Sequence, residues 1–225
     1  MPNVVVSIAP IHSLAAMAMA GIGRPQLLLS KGASPHAYAL KPSDARALAR
    51  AHVVVWVGPA LEGSLAKPLE TLAGGAEKLT LLTRPGLILH ASRRGGVWKL
   101  GGGAEDGHGH SHAEPGDGHG ARRGVDPHIW LDPRNGILIV EEIARTLARI
   151  DGANGARYAA NAVRARRQLT GLDRELTAKL RPVSRAPYLV FHDAYRYFEE
   201  RYGLSPVGSV VMSADRRPGI KRIQE

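Results

Sequence analysis

The chain has 225 residues, of which 44% are apolar, and this length and composition predict one large or two small globular domains rather than a disordered chain. It contains no cysteine, which excludes disulfides, thiolate metal sites and cysteine nucleophiles. The formal net charge is +10, but the arginines are scattered and no aromatic residues alternate with them as in an RNA-binding sheet. We therefore expect no nucleic-acid partner. A basic nucleic-acid-associated protein with incidental histidines remains the alternative, and salt-dependent retention on DNA would support it.

The amino-terminal stretch has no feature of a membrane span or a secretion signal. No run of about 18 apolar residues occurs in the chain, so no transmembrane helix is predicted. The first 23 residues lack a charged region before their apolar run and instead predict a strand, NVVVSIAP, and then a helix, HSLAAMAMAGIG. We expect either a cytosolic protein or one whose leader lies outside this sequence.

The first ninety residues alternate short apolar runs with helical patterns. The runs typical of buried strands are NVVVSIA, RPQLLLS, HVVVWVGPA and EKLTLLT. The helical patterns between them are IHSLAAMAMAGI, KPSDARALARA and EGSLAKPLETLAG, and Ser43 is predicted to cap the second of these. Continuous Val and Leu runs separated by helices indicate a parallel sheet covered on both faces, so the predicted class is α/β.

The rest of the chain predicts two lobes and a helical connection. Residues 1–135 are predicted to form an N-terminal α/β lobe that contains a disordered His-rich loop at 95–124, where the apolar periodicity is lost. Residues 136–182 are predicted to be helical, and a helix of roughly 40 Å from 154 to 180 is long enough to bridge two lobes. Residues 183–225 begin a second α/β lobe, which is incomplete in this chain because two strands and one helix cannot bury both faces of a sheet.

Three histidines outside the loop share one kind of position. His36 follows the second predicted strand, His192 follows the strand YLVF, and His128 lies in the rigid segment DPHIWLDP. Ligands of open α/β sheets bind at the carboxyl ends of the strands. Three imidazoles that converge there would suit Zn²⁺ or another late transition metal. Asp132 is expected either to orient the His128 ring or to cap the helix that follows.

The His-rich loop is a second candidate for metal binding. His108, His110, His112 and His119 alternate with small residues, and Glu105, Asp106, Glu114 and Asp117 add oxygen donors. Because a glycine-rich loop must be ordered on binding, at about 1–2 kcal/mol of backbone entropy per residue, we expect weaker binding there than at a site on rigid elements.

The sequence gives little support for an enzyme. It contains no G-x-S-x-G, no H-E-x-x-H, no P-loop and no G-x-G-x-x-G after a strand. A zinc-dependent hydrolase with a three-histidine site and an open water position stays possible at this stage, but no general base can be named for it.

Four separated motifs resemble one family. The stretches GASPHAYALKPSDARALARAHVVVWVGPALE, HIWLDP and YLVFHDAYRYFEERYGL, together with the internal His-rich loop, are similar to the zinc-binding, ZnuA-like solute-binding proteins of bacterial ABC importers. The similarity covers nearly the whole chain. It implies two α/β lobes joined by a long helix, with metal held between them by His36, His128 and His192, and an accessory loop that collects metal weakly. The implied function is extracytoplasmic, periplasmic zinc capture by a monomer that delivers zinc to an ABC permease, without catalysis.

The chain also departs from the family pattern. The position before the first histidine, which is often acidic in zinc-binding members, is Pro35. The resemblance therefore implies three histidines with water, or with a group absent from this chain, around the zinc. Manganese-type relatives tend to carry a carboxylate at the position of His192 and to lack the His-rich loop, so the resemblance favours zinc.

Overall fold

The computed structural model describes residues 1–29, 34–36, 38–93, 98 and 124–211. The helices in these ranges are α1 (Ala9–Ala18), α2 (Pro42–Ala49), α3 (Ala66–Leu72), α4 (Pro133–Ile150), α5 (Gly155–Leu180) and α6 (Arg196–Tyr202). The strands are β1 (Val4–Val6), β2 (Gln26–Leu27), β3 (Val53–Trp56), β4 (Glu77–Thr80), β5 (Pro187–His192) and β6 (Ser205–Val211). None of the helices in these ranges has the length and apolar character that a membrane crossing requires.

The first four strands form one parallel sheet in the order β2-β1-β3-β4. β1 and β3 are central and consist of valines with one tryptophan, and every residue of both strands is buried. Strands buried on both faces need apolar residues at every position, which explains the continuous Val runs. The predicted α/β class and parallel sheet are confirmed. We call β1 to β4 together with α1, α2 and α3 the first unit.

The carboxyl end of the first sheet is tied together by a buried acid. Glu62 is fully buried in the loop after β3, where its carboxylate accepts hydrogen bonds from the backbone N–H of Gly58 at 2.9 Å and of Val57 at 3.3 Å. The Ser7 hydroxyl, directly after β1, donates to the same carboxylate. Burial raises the pKa of Glu62 above its ordinary value, while these hydrogen bonds act in the opposite direction.

Helix α2 begins at Pro42, two residues earlier than a Ser43 cap would place it, so that prediction was wrong. Pro42 takes the first helical position, where its fixed φ suits the helix and its missing N–H is not needed. The Asp44 carboxylate accepts the backbone N–H of Lys41 at 2.9 Å, which fixes the entry of the chain into the helix.

Helix α5 has 26 residues and contacts elements at both ends of the chain. Toward its amino end, the Asn161 amide donates to the carbonyls of Ala18 and Ala20, both at 2.9 Å, beside α1. Farther along, the Asp173 carboxylate accepts hydrogen bonds from Arg201 and Tyr202 of α6. The predicted long helix is therefore present, and it contacts both the first unit and α6.

The second sheet contains only β5 and β6, which run parallel. Helix α6 connects them and ends at Gly203, whose φ of 62° is the left-handed conformation that glycine adopts most readily. We call β5, α6 and β6 the second unit. The sequence predicts here the strand PYLVF, a helix ended by Gly203 and a strand that begins at Val207. All three are present, although β6 begins at Ser205, two residues earlier.

Candidate metal centre

Three histidine side chains from separate parts of the sequence meet beside the first sheet. His36 lies in the turn after β2, His128 precedes a 3₁₀ turn that leads into α4, and His192 is the last residue of β5. One ring nitrogen from each lies within 4.8 Å of the other two. A tetrahedral zinc ion with Zn–N distances of about 2.0–2.1 Å holds its nitrogens roughly 3.3 Å apart, so small side-chain rotations would bring this cluster to that geometry.

The rings face one another at short range. Their centroids are 6.0 Å apart for His36 and His128, 5.9 Å for His36 and His192, and 5.3 Å for His128 and His192, all in edge-on arrangements. The Trp130 ring lies 5.3 Å from that of His128 and shields one side of the cluster. His128 is buried, whereas His36 and His192 are partly exposed. The cluster is thus open to solvent on the side of the two exposed rings.

The orientation of His128 is set by Asp126. One oxygen of this buried carboxylate lies 2.7 Å from His128 Nδ1 and also accepts the backbone N–H of His128 at 2.9 Å. A carboxylate at Nδ1 keeps the proton on that nitrogen and leaves Nε2 free to bind a metal. Such a carboxylate–histidine pair is the usual support of a metal-binding imidazole.

Asp132 caps α4 and does not orient the ring. Its carboxylate accepts the backbone N–H of Arg134 at 2.8 Å and is paired with the Arg134 guanidinium, with Nη2 to Oδ2 at 2.7 Å. Of the two roles considered for Asp132, the structure selects the helix cap, because the residue lies directly before Pro133 at the first helical position.

His192 is followed by a buried charged cluster. Asp193 Oδ1 lies 3.1 Å from Arg93 Nη1, and Glu199 Oε2 lies 2.6 Å from the same nitrogen. Burial raises the pKa of Asp193 and of Glu199, and Arg93 opposes this shift in both. One guanidinium thus pairs with both carboxylates, of which Asp193 lies directly after the histidine.

Sequence reasoning missed two residues that contact the surroundings of the histidines, Asp126 and Arg93. The signal for Asp126 was present, because an acid two residues before a candidate histidine in a rigid Asp-Pro-His segment can reach back to the ring. No local signal marks Arg93, which is a hundred residues from Asp193 in the sequence. The predicted accessory residues His108, His110, His112 and His119 lie outside the described residues, as do Glu105, Asp106, Glu114 and Asp117.

A cluster of three imidazoles with a carboxylate behind one of them favours particular chemistry. Neutral imidazole nitrogen suits zinc and other late transition metals better than magnesium or calcium, which prefer oxygen. Three protein ligands leave one position of a tetrahedral ion open. The arrangement can therefore hold a divalent metal reversibly.

Comparison with known proteins gives one consistent result. The sequence profile of the family described as "ZnuA: Zinc-uptake complex component A periplasmic" matches residues 4–225. The chain is 41% identical to the high-affinity zinc uptake system protein ZnuA of Brucella abortus, over 99% of this chain and 71% of that protein. It is 36% identical to the protein of the same name from Yersinia pestis, over 99% of this chain and 70% of that protein.

Solved structures share the fold. A crystal structure of ZnuA matches with a TM-score of 0.76 at 21% identity, covering 100% of this chain and 76% of that one. The Zn(II)-bound AdcA of Streptococcus pneumoniae matches with a TM-score of 0.72 at 22% identity, covering 99% of this chain and 42% of that one. The family match over almost the whole sequence confirms the resemblance drawn from the four motifs: the chain belongs to the ZnuA family of periplasmic zinc-uptake components.

Proposed function

We propose that this chain captures zinc with high affinity in the periplasm and delivers it to the ABC permease of a zinc-uptake system. The family assignment and the names of its relatives support this function. The observation in the structure that supports it most directly is the convergence of His36, His128 and His192, whose ring nitrogens lie within 4.8 Å of one another. Zinc is the cargo of this site and not a resident cofactor.

We assign the tight site to these three histidines. The open fourth position is filled by water or by a group outside this chain, because Pro35 offers no side-chain ligand. The four histidines of the 95–124 segment are assigned to weak accessory binding that raises the local metal supply. This division follows from ordering cost, since a site on a strand end and a packed turn needs less ordering than a glycine-rich segment.

We propose that the chain is not an enzyme. A zinc hydrolase needs a general base within reach of the metal-bound water. The buried acids nearest the cluster are engaged elsewhere, because Asp126 holds His128 and Asp193 pairs with Arg93. The comparisons give the hydrolase alternative no support, since the matched family is a transport family.

The remaining proposals concern organisation and partners. We propose an N-terminal lobe at 1–135, a helical connection at 136–182 and the start of a second lobe at 183–225. The contacts of α5 with both α1 and α6 support this division. We further propose that the protein works as a monomer and has no nucleic-acid partner.

Zinc titration of three variants tests the site assignment. Deletion of residues 105–119 should lower the number of zinc ions bound and leave the high-affinity binding step, here called the tight step, unchanged. His128→Ala should weaken the tight step by about 100-fold or more, since removal of supporting groups alone costs about 10–100-fold in metal affinity. His52→Ala is the matched control, because His52 lies before the amino-terminal end of β3, opposite the carboxyl ends of the strands, and contacts Asn3.

The same preparations separate capture from hydrolysis. The zinc-loaded chain should show no turnover of ester or amide substrates. Loss of the tight step on deletion of 105–119, combined with unchanged binding by His128→Ala, would overturn the assignment. Zinc-dependent turnover that disappears with His128→Ala would replace capture with catalysis.

A further inference from the structure

The strand that carries His192 has little apolar packing. β5 pairs with β6 alone among the described strands, and two of its large side chains, Leu189 and Phe191, are 67% and 65% exposed. Only Val190 of this strand is buried. Among the described residues, side-chain contacts at the carboxyl end of β5 hold this strand against α6 and the segment that ends at residue 93.

Those contacts are polar and converge on Arg93. Its guanidinium bridges Asp193, the residue after His192, and Glu199 of α6. Glu199 also accepts the Tyr188 hydroxyl at 3.2 Å, which ties α6 back to β5. The side chains of Asp193 and Glu199 are 7% and 1% exposed, and two carboxylates this deeply buried require a cation between them.

Arg93 is itself held from two sides. The Trp98 ring lies over its guanidinium, 4.2 Å from the ring centroid, and the Trp98 backbone N–H donates to Val207 of β6 at 2.8 Å. On the other side, the Ser92 backbone N–H donates to the carbonyl of Gly124 at 2.5 Å. Residues 90–93 and 124–126 thus form a short pair of antiparallel segments, bridged at Ala91 and Val125.

The same pair of segments carries the support of His128. The Asp126 backbone N–H donates to the carbonyl of His90 at 2.8 Å, and the buried Tyr197 hydroxyl donates to the Asp126 carbonyl at 2.8 Å. Residues 124–126 end at Asp126, whose carboxylate contacts His128. Residues 90–93 end at Arg93, which pairs with Asp193, the residue after His192. Residues 90–93 and 124–126 connect two histidines that are 64 positions apart in the sequence.

We propose that Arg93 is a positioning residue for the metal centre. By holding Asp193 and Glu199, it fixes the end of β5 so that the His192 ring faces His36 and His128. Arg93 also belongs to the segment 90–93, which pairs with 124–126, and it thereby keeps His192 at a fixed position relative to His128. The inference rests on the proposed function, because it assigns Arg93 a role in the geometry of that zinc site and no contact with the metal.

The test compares Arg93→Gln with Arg201→Gln in the full chain. Arg201 is the matched control, since it also pairs with a carboxylate, Asp173, and lies over an aromatic ring, that of Tyr202, and its ion pair and ring contact within the described residues involve none of the three histidines. The tight zinc step is measured by competition with a chelator, and the visible bands of bound Co²⁺ report the ligand geometry. Arg93→Gln should weaken the tight step by about 10–100-fold and change the Co²⁺ bands. Arg201→Gln should lower the unfolding temperature and leave both readouts unchanged.

Two further variants protect the test against a failure of Arg93→Gln to fold. Asp193→Asn keeps the Arg93–Glu199 pair and should give a smaller change of the same kind in affinity and in the Co²⁺ bands. Arg93→Lys keeps the charge without the planar guanidinium and should recover part of the affinity.

The outcomes separate this inference from the function on which it rests. Tight binding and unchanged Co²⁺ bands in both Arg93→Gln and Asp193→Asn would overturn the role of Arg93 alone. Equal losses of affinity in Arg93→Gln and Arg201→Gln would overturn it as well, since the effect would then be one of general stability. An unmodified chain without a tight zinc step would overturn the proposed function itself.

Discussion

The first and second units are built from the same strand and helix rhythm, yet they are stabilised differently. β1 and β3 are fully buried inside a four-stranded sheet, whereas β5 exposes about two thirds of Leu189 and Phe191. Among the described residues, apolar packing dominates the first unit, whereas buried ion pairs and hydrogen bonds tie β5 to α6 in the second. The proposed metal site lies between them, with His128 held by the Asp126 carboxylate and His192 at the end of β5.

The largest expected effect tests the packing side of this comparison. Leu79 of β4 is 1% exposed, and Leu79→Ala should lower the free energy of unfolding by about 2–5 kcal/mol through the cavity it creates. Leu189→Ala in β5 should change it by less than about 0.5 kcal/mol. Urea unfolding followed by circular dichroism measures both. Similar losses for the two variants would show that the second unit also relies on apolar packing.

The buried Glu62 supplies the next test, because it lies fully buried in the first unit and accepts three hydrogen bonds there. Glu62→Ala leaves the backbone N–H groups of Val57 and Gly58 and the Ser7 hydroxyl without their acceptor. It should cost about 2 kcal/mol or more. Glu62→Gln keeps an acceptor of similar shape and should cost less. Equal costs for the two variants would assign the effect to side-chain volume.

The raised pKa of Glu62 also gives this test a pH dependence. A carboxyl whose pKa is raised by folding holds its proton longer in the folded state, so the unfolded state binds fewer protons and stability falls with rising pH. Relative to Glu62→Gln, the unmodified chain should lose stability as the pH rises above the ordinary value near 4.5. A relative stability that increases with pH would contradict the burial cost described for this residue.

A smaller effect is expected from the support of His128. Asp126→Asn keeps the shape of the side chain but removes the charge beside Nδ1, and it should weaken the tight zinc step by about 10–100-fold. The matched control is Asp132→Asn, which lies four residues after His128 but caps α4 and binds Arg134. It should lower stability without a change in zinc affinity. The reverse pattern would return Asp132 to the role of orienting residue.

The sequence allowed the fold to be predicted wherever the signal was local. Continuous Val runs predicted the buried strands, and Gly203 predicted the end of α6, because each depends only on neighbouring residues. The start of α2 was wrong because Pro42, and not the nearby serine, determined where the helix begins. The three histidines were predicted because ligand positions follow strand ends and rigid turns.

The supports of those histidines could not be predicted as readily. Asp126 lies only two residues before His128, but the sequence also offers Asp132 as an acid near the same ring, and the residue types do not decide between them. The pairing of Arg93 with Asp193 and Glu199 is long-range and depends on how the two units pack. Sequence analysis therefore does not identify residues such as Arg93, which act on the metal-binding histidines through other residues.

X-ray absorption at the zinc edge tests the central claim most directly. The chain lacking residues 105–119, loaded with one equivalent of Zn²⁺, should show three imidazole ligands at about 2.0–2.1 Å and one further light-atom ligand. The same measurement on His128→Ala should show fewer imidazoles or no bound zinc. A zinc coordination shell without three imidazoles would contradict the assignment of His36, His128 and His192 as the tight zinc site. So would a coordination shell that is unchanged in His128→Ala.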